Sequence, residues 1–197
     1  MTIIIPTDLV QGSSRFRNDD GNEITATWKA AQGANVVFGV SDLDVNFRLR
    51  IPTSWNTDPP ASTTFQPQLQ YILNGAGQFD VNGSSSVVRS FLSPNITEDE
   101  VATKQLSGDP LSFVAGAMDE VDGICPSFTL DDEEHSEHEF VLRVRSVDVV
   151  NGDRIELLLV KAPSTSYDVY INIPAIDIVL INTPQKSGFM QFFSEVP

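Results

Sequence analysis

The sequence predicts an all-β protein, an antiparallel β-sandwich of jelly-roll type with at most one short helix. Apolar and polar residues alternate with a period of two in segment after segment, and 3.6-residue spacing is scarce. Turn-rich clusters such as Thr57-Asp58-Pro59-Pro60 and Asn74-Gly75-Ala76-Gly77 break these segments into short lengths. The chain has 197 residues, 41% of them hydrophobic and 20% charged, which suits one domain with a real core and excludes a disordered chain.

The clearest strand covers residues 44–50, with Val45, Phe47 and Leu49 on one face and Asp44, Asn46, Arg48 and Arg50 on the other. The second set reads as a solvated face. Residues 139–145 repeat the pattern, with Phe140, Leu142 and Val144 inward and Arg143 and Arg145 outward. The phase shifts at Ser146, ahead of Val147 and Val149, which predicts a bulge. Asn151-Gly152 lies between two β-rich runs and predicts a type I′ hairpin. Its second arm, 155–162, is apolar on both faces and reads as a central strand. Further candidates fall at 23–29, 35–40, 66–73, 78–81, 87–92, 111–115, 127–130, 168–173, 176–181 and 189–195. The helical candidate is 97–105, where Thr97 and Glu100 form a capping-box pair and Glu98 and Asp99 suit the positive end of a helix.

Charge is lopsided. There are 27 acidic residues against 12 basic, a net charge of −15, which disfavours nucleic acid and anionic membrane as partners. Residues 98–139 hold thirteen of the acidic residues and one basic, Lys104. The expected plan is an N-terminal arm or edge strand over 1–22, then one sandwich domain over 23–197 carrying an acidic insertion at 98–139. No apolar run approaches the ~20 residues of a membrane span. Ile3-Ile4-Ile5 lacks the basic flank of a secretory leader. A single cysteine, Cys125, allows no internal disulfide, so synthesis in a reducing cytoplasm is expected.

The segment Asp131-Asp-Glu-Glu-His-Ser-Glu-His-Glu139 places His135 and His138 among six carboxylates. Imidazole and carboxylate both ligate divalent metals, which makes these two histidines the metal candidates. A solvated loop is the expected reading instead, with both histidines held protonated by their neighbours and no metal bound. No Gly-x-Ser-x-Gly elbow or phosphate-binding loop occurs, and Cys125 beside Pro126 reads as a small buried residue. The expectation is therefore no catalytic residue, no cofactor and no enzyme. Trp55 and Tyr167 are the candidates for stacking a sugar ring, although a tryptophan at a strand end more often covers a core. Apolar residues near the ends, Ile3, Ile4, Ile5, Phe16, Phe189, Phe192 and Phe193, are candidates for a partner interface.

The run Val45-Asn-Phe-Arg-Leu-Arg-Ile-Pro-Thr-Ser-Trp-Asn56, followed by Phe65-Gln-Pro-Gln-Leu-Gln-Tyr71, resembles a pattern in tailed-bacteriophage virion proteins. There an alternating strand ends in a Pro-x-x-Trp turn and the next strand carries spaced aromatics. Val141-Leu-Arg-Val-Arg145 and Asn151-Gly-Asp-Arg-Ile-Glu-Leu-Leu-Leu-Val-Lys161 are similar to later strands of such proteins. The resemblance implies a capsid decoration or cement protein located on the virion. It would act as a homotrimer touching the major capsid protein or other virion subunits. The alternative it implies is a receptor- or carbohydrate-binding module of a phage fibre.

Overall fold

The computed structural model describes residues 8–57 and 60–180. The described residues fold into strands joined by turns, with two short 3-10 turns and no α-helix among them. In chain order the first strands are β1 (Asp8–Gln11), β2 (Arg15–Asn18), β3 (Val36–Phe38), β4 (Asn46–Asn56), β5 (Thr63–Phe65), β6 (Pro67–Leu73), β7 (Gln78–Asp80) and β8 (Val88–Ser90). They are followed by β9 (Val101–Ala102), β10 (Ser112–Phe113), β11 (Gly116–Asp119), β12 (Phe128–Leu130), β13 (Glu134–Val144), β14 (Arg154–Lys161), β15 (Thr165–Ser166), β16 (Val169–Tyr170) and β17 (Ala175–Ile178).

Two sheets enclose one core. The first runs β16-β1-β4-β13-β11-β9, with β2 also on β4 and both β8 and β10 also on β13. The second runs β3-β17-β14-β6-β7, with β15 also on β14, and β5 and β12 form a separate ribbon. The spine of the first sheet is the antiparallel β4–β13 pair, in unbroken register from Glu134↔Trp55 to Arg143↔Asn46. β1 and β2 line the other side of β4 as two halves of one edge, joined where Gly12 N–H donates to the Pro52 carbonyl (3.0 Å). Several neighbours pair in parallel, including β11 with β13 and β17 with β3, so both sheets are mixed.

Alternation correctly places the core. Phe47, Leu49 and Ile51 of β4 and Phe140, Leu142 and Val144 of β13 are buried against Leu69 and Tyr71 of β6 and Ile155, Leu157 and Leu159 of β14. Phe47 meets Phe38 of the opposite sheet edge-on, ring centres 5.0 Å apart. Each such side chain is worth ~1.5–3 kcal/mol of burial. As expected, β14 is central: Leu158 and Val160 on its other face are also buried. Phe16, expected at a partner interface, is instead wholly buried in this core, because β2 turns it inward opposite Leu49.

Five local expectations are corrected. Arg48 and Arg50 are not on a wet face; both are 0% exposed. Val45 is turned outward, because Asp44 takes a left-handed conformation (φ 58) just ahead of β4. The Asn151-Gly152 turn joins strands of different sheets and is not a hairpin, and positive φ is confined to Gly152 (φ 94) where type I′ needs two such residues. The phase shift at Ser146 is a 3-10 turn, Ser146–Asp148, and not a bulge. The 97–105 helix does not form either. Thr97 and Glu100 make the capping contact, Thr97 N–H to Glu100 Oε2 at 3.0 Å, but Asp99 at φ 61 closes a single turn and the chain enters β9.

Phe47→Ala should lower the unfolding free energy by about 3–5 kcal/mol in a urea titration. Val147→Ala, at a solvated position, should change it by less than ~0.5 kcal/mol.

Candidate functional site

The charged residues gather on the face of the first sheet that points away from the core. Strand parity puts Arg17 of β2, Arg48 and Arg50 of β4, and Glu137 and Glu139 of β13 on this face. Register sets Glu139 directly opposite Arg50, and Arg17 opposite Arg48. Glu139 is shared three ways: Oε1 accepts from Arg48 Nη1 (2.9 Å), and Oε2 accepts from Arg17 Nη1 (3.1 Å) and from Arg50 Nε. Arg50 also reaches Glu137 Oε2 (3.0 Å) and Glu23 Oε1 (2.7 Å), while Arg48 faces Asp19 (3.3 Å). Three guanidinium groups and four carboxylates are thus withdrawn from water together.

Two loops cover the cluster. Arg17 donates to the carbonyls of Glu23 (2.7 Å) and Ala26 (3.0 Å), and Arg48 to that of Gly21. From the other side, Thr103 N–H donates to Glu23 Oε1 and Leu106 N–H to Glu137 Oε1, both at 2.9 Å. Trp28 lies against the guanidinium groups of Arg15 and Arg17, each 4.4 Å from its ring centre. Burial, with the neighbouring Arg50 and Arg48, pulls the Arg17 pKa down more than Glu139 restores it. At Arg50 burial also pulls down, but Glu139 and hydrogen bonds to Glu23 and Glu137 outweigh it, and the net shift is upward. Every carboxylate oxygen of Asp19, Glu23, Glu137 and Glu139 accepts a bond from the chain, so the acceptors are saturated and fasten the loops; on the donor side, among the described residues, Arg48 Nε has an ionic contact with Asp19 and no hydrogen bond.

The sequence-predicted site residues are scattered. Trp55 is 8% exposed and donates Nε1–H to the Ala61 carbonyl (2.9 Å), and Tyr167 is 3% exposed against Phe65. Both belong to the core, so neither presents a ring face to a sugar. Ile3, Ile4, Ile5, Phe189, Phe192 and Phe193 lie outside the described residues. His135 and His138 are not in a solvated loop; both lie on β13, each 1% exposed. Being three apart on a strand, they point to opposite faces and cannot share one metal ion. His138 turns inward beside Phe128 (4.7 Å) and lines a cavity of about 170 Å³ with Pro126 and Gly116. Burial, helped by Arg50, pulls its pKa down to about 3, so it is neutral where a protonated ring was expected. Cys125 is fully buried, and its thiol is pushed well up by that burial.

A second acidic group brings Glu98, Asp119 and Asp122 close enough for their oxygens to hold one cation between them. Burial, and then Glu98, raise the Asp119 pKa to about 7. Its Oδ1 accepts from Gly123 N–H (2.7 Å). A third grouping is apolar and exposed: Phe91, Leu92 and Val121 surround a depression of about 330 Å³ with Ser90 and Glu120 on its wall. Comparison with protein families, with curated proteins and with solved structures returned no match.

Glu139→Gln should cost about 3–5 kcal/mol of stability in denaturant titration, since it leaves buried guanidinium groups undercompensated. Asp119 has an opposite kind of consequence. Its folded pKa of about 7 lies above the ordinary 3.8, so the folded state holds the proton longer and stability declines as pH rises between those values. Asp119→Asn should gain on the wild type steadily from about pH 4 to pH 7 when melting temperatures are compared across pH.

Proposed function

We propose that the chain is a structural protein of a tailed-phage particle, decorating or cementing the capsid surface as a homotrimer and performing no catalysis. The observation that carries this reading is the Phe91–Leu92–Val121 patch, whose members are 39%, 66% and 47% exposed. Single exposed apolar residues are ordinary, but a group of them around one depression on a rigid body marks a place of contact. The resemblance of residues 45–71 and 141–161 to virion-protein strands names the neighbour as the major capsid protein or another virion subunit.

Cementing needs a stiff body and buried area. The buried ion cluster and the two-sheet core supply the stiffness, and each ~100 Å² of apolar contact contributes about 2.5 kcal/mol before ordering costs. The strands at the sheet margins are only two to three residues long, β9 and β16 in the first sheet and β3 and β7 in the second. Such short margins discourage strand-to-strand addition, so contact runs through side chains instead.

Gradient-purified virions of the source phage should carry the chain in fixed proportion to the capsid protein. A Leu92→Asp chain, folded normally by circular dichroism, should be recovered on them at least about tenfold less. Virions without the chain, or full recovery of the variant, would refute the reading.

A further inference from the structure

We propose that His135 and Asp109 bind one transition-metal dication of the zinc type, with water filling the rest of its coordination shell. His135 stands at the start of β13 on the face away from the core. Its side chain is 1% exposed, yet among the described residues neither ring nitrogen has a hydrogen-bond partner. A buried imidazole left in that condition destabilises the fold, a deficit that a bound group removes.

Asp109 supplies the second ligand. Its Oδ1 lies 3.9 Å from His135 Nδ1, too far for a hydrogen bond but within the span of one ion bonded to both atoms at ~2.0–2.2 Å. Both ligands are held from behind. The Asp109 carboxylate accepts from Leu111 N–H (3.1 Å), and the His135 ring rests edge-on against Phe113, 5.3 Å between centres. Lys104 donates to the Asp109 carbonyl (3.2 Å), not to its carboxylate.

There is room for the ion and its water. His135 and Asp109 line a cavity of about 210 Å³, whose remaining wall includes Ser13, Gln32 and Ser107. Gln32 ties that wall together, accepting from Ser107 N–H (3.0 Å) and donating to the Ser107 carbonyl (2.9 Å). Glu137 borders the same cavity, but Arg50, Gln105 and Leu106 already occupy its oxygens, which leaves ligation to the other two residues. The nitrogen donor selects zinc, cobalt, nickel or copper over calcium and magnesium. The histidine pair visible in the sequence is therefore divided by strand parity, and His135 finds its partner in a loop well upstream.

Titration calorimetry of the full chain with Zn²⁺, repeated with Co²⁺ by visible absorbance, tests this at neutral pH. The wild type should take up one equivalent, His135→Ala should bind at least about tenfold more weakly, and Asp109→Asn several-fold more weakly. Asp119→Asn, which alters the other carboxylate group, should bind as the wild type does. Asp109→Asn changes a partly exposed loop residue, so its reading stands even where His135→Ala folds poorly. No saturable uptake, uptake undiminished in Asp109→Asn, or uptake lost in Asp119→Asn would overturn the proposal.

Discussion

Glu139 is the group on which the outer half of the molecule depends. Its carboxylate binds three arginines from two strands; Arg17 and Arg48 in turn hold carbonyls of the loop that follows β2, and Arg50 holds the Thr103 carbonyl. Removing several ions from water costs several kcal/mol apiece, and that cost is offset only where the geometry is good and the remaining donors and acceptors are matched. Here they are matched largely by backbone, so the charges and the loops order one another. The same arrangement doubles the information that sets strand register. Sliding β13 by one residue along β4 would carry Phe140 out of the core and Glu139 into it, a double penalty on a single misstep.

A sheet covered in this way is buried on both faces, one by apolar packing against the second sheet and the other by ions and loops. The carboxylates of the central cluster are all matched by donors. Unpaired or titrating groups occur at its margins: His135 at one end of β13, and Asp119 on β11, whose carboxyl pKa is raised to about 7 by burial and by Glu98. The apolar depression beside Phe91 is a third feature of the margin. It shares a border with the Asp119 region through Glu120 and Val121, so a docking partner there would approach the acidic group as well.

Much of the fold was legible in the residues. Period-two alternation located β4, β13 and β14, and it assigned Phe47, Leu49, Phe140, Leu142 and Val144 to the core, because one face of each strand meets apolar partners. What alternation cannot do is say that the second face is wet. Arg48, Arg50, Glu137 and Glu139 look like solvent-facing charge on any single strand, and become an interior only when two strands pair with opposite charges in register. The usable signal was that complementarity, arginines at alternate positions of one long strand and glutamates at alternate positions of another. A capping pair at Thr97 and Glu100 does not specify a helix over 97–105, because it also suits an isolated turn. His135 and His138 are neighbours in sequence and are parted by strand parity, whereas His135 and Asp109 are brought together by the path of a loop, which no local spacing encodes.

Buried charge, and not chance contact, fastens the two outer loops to the first sheet. Amide hydrogen exchange reads this residue by residue at Thr103, Gln105 and Leu106, whose N–H groups donate to Glu23 and Glu137. These amides are predicted to exchange as slowly as those in the middle of β4, as members of the same cooperative unit. Exchange there at the rate of an open surface loop, with β4 still protected, would contradict the account.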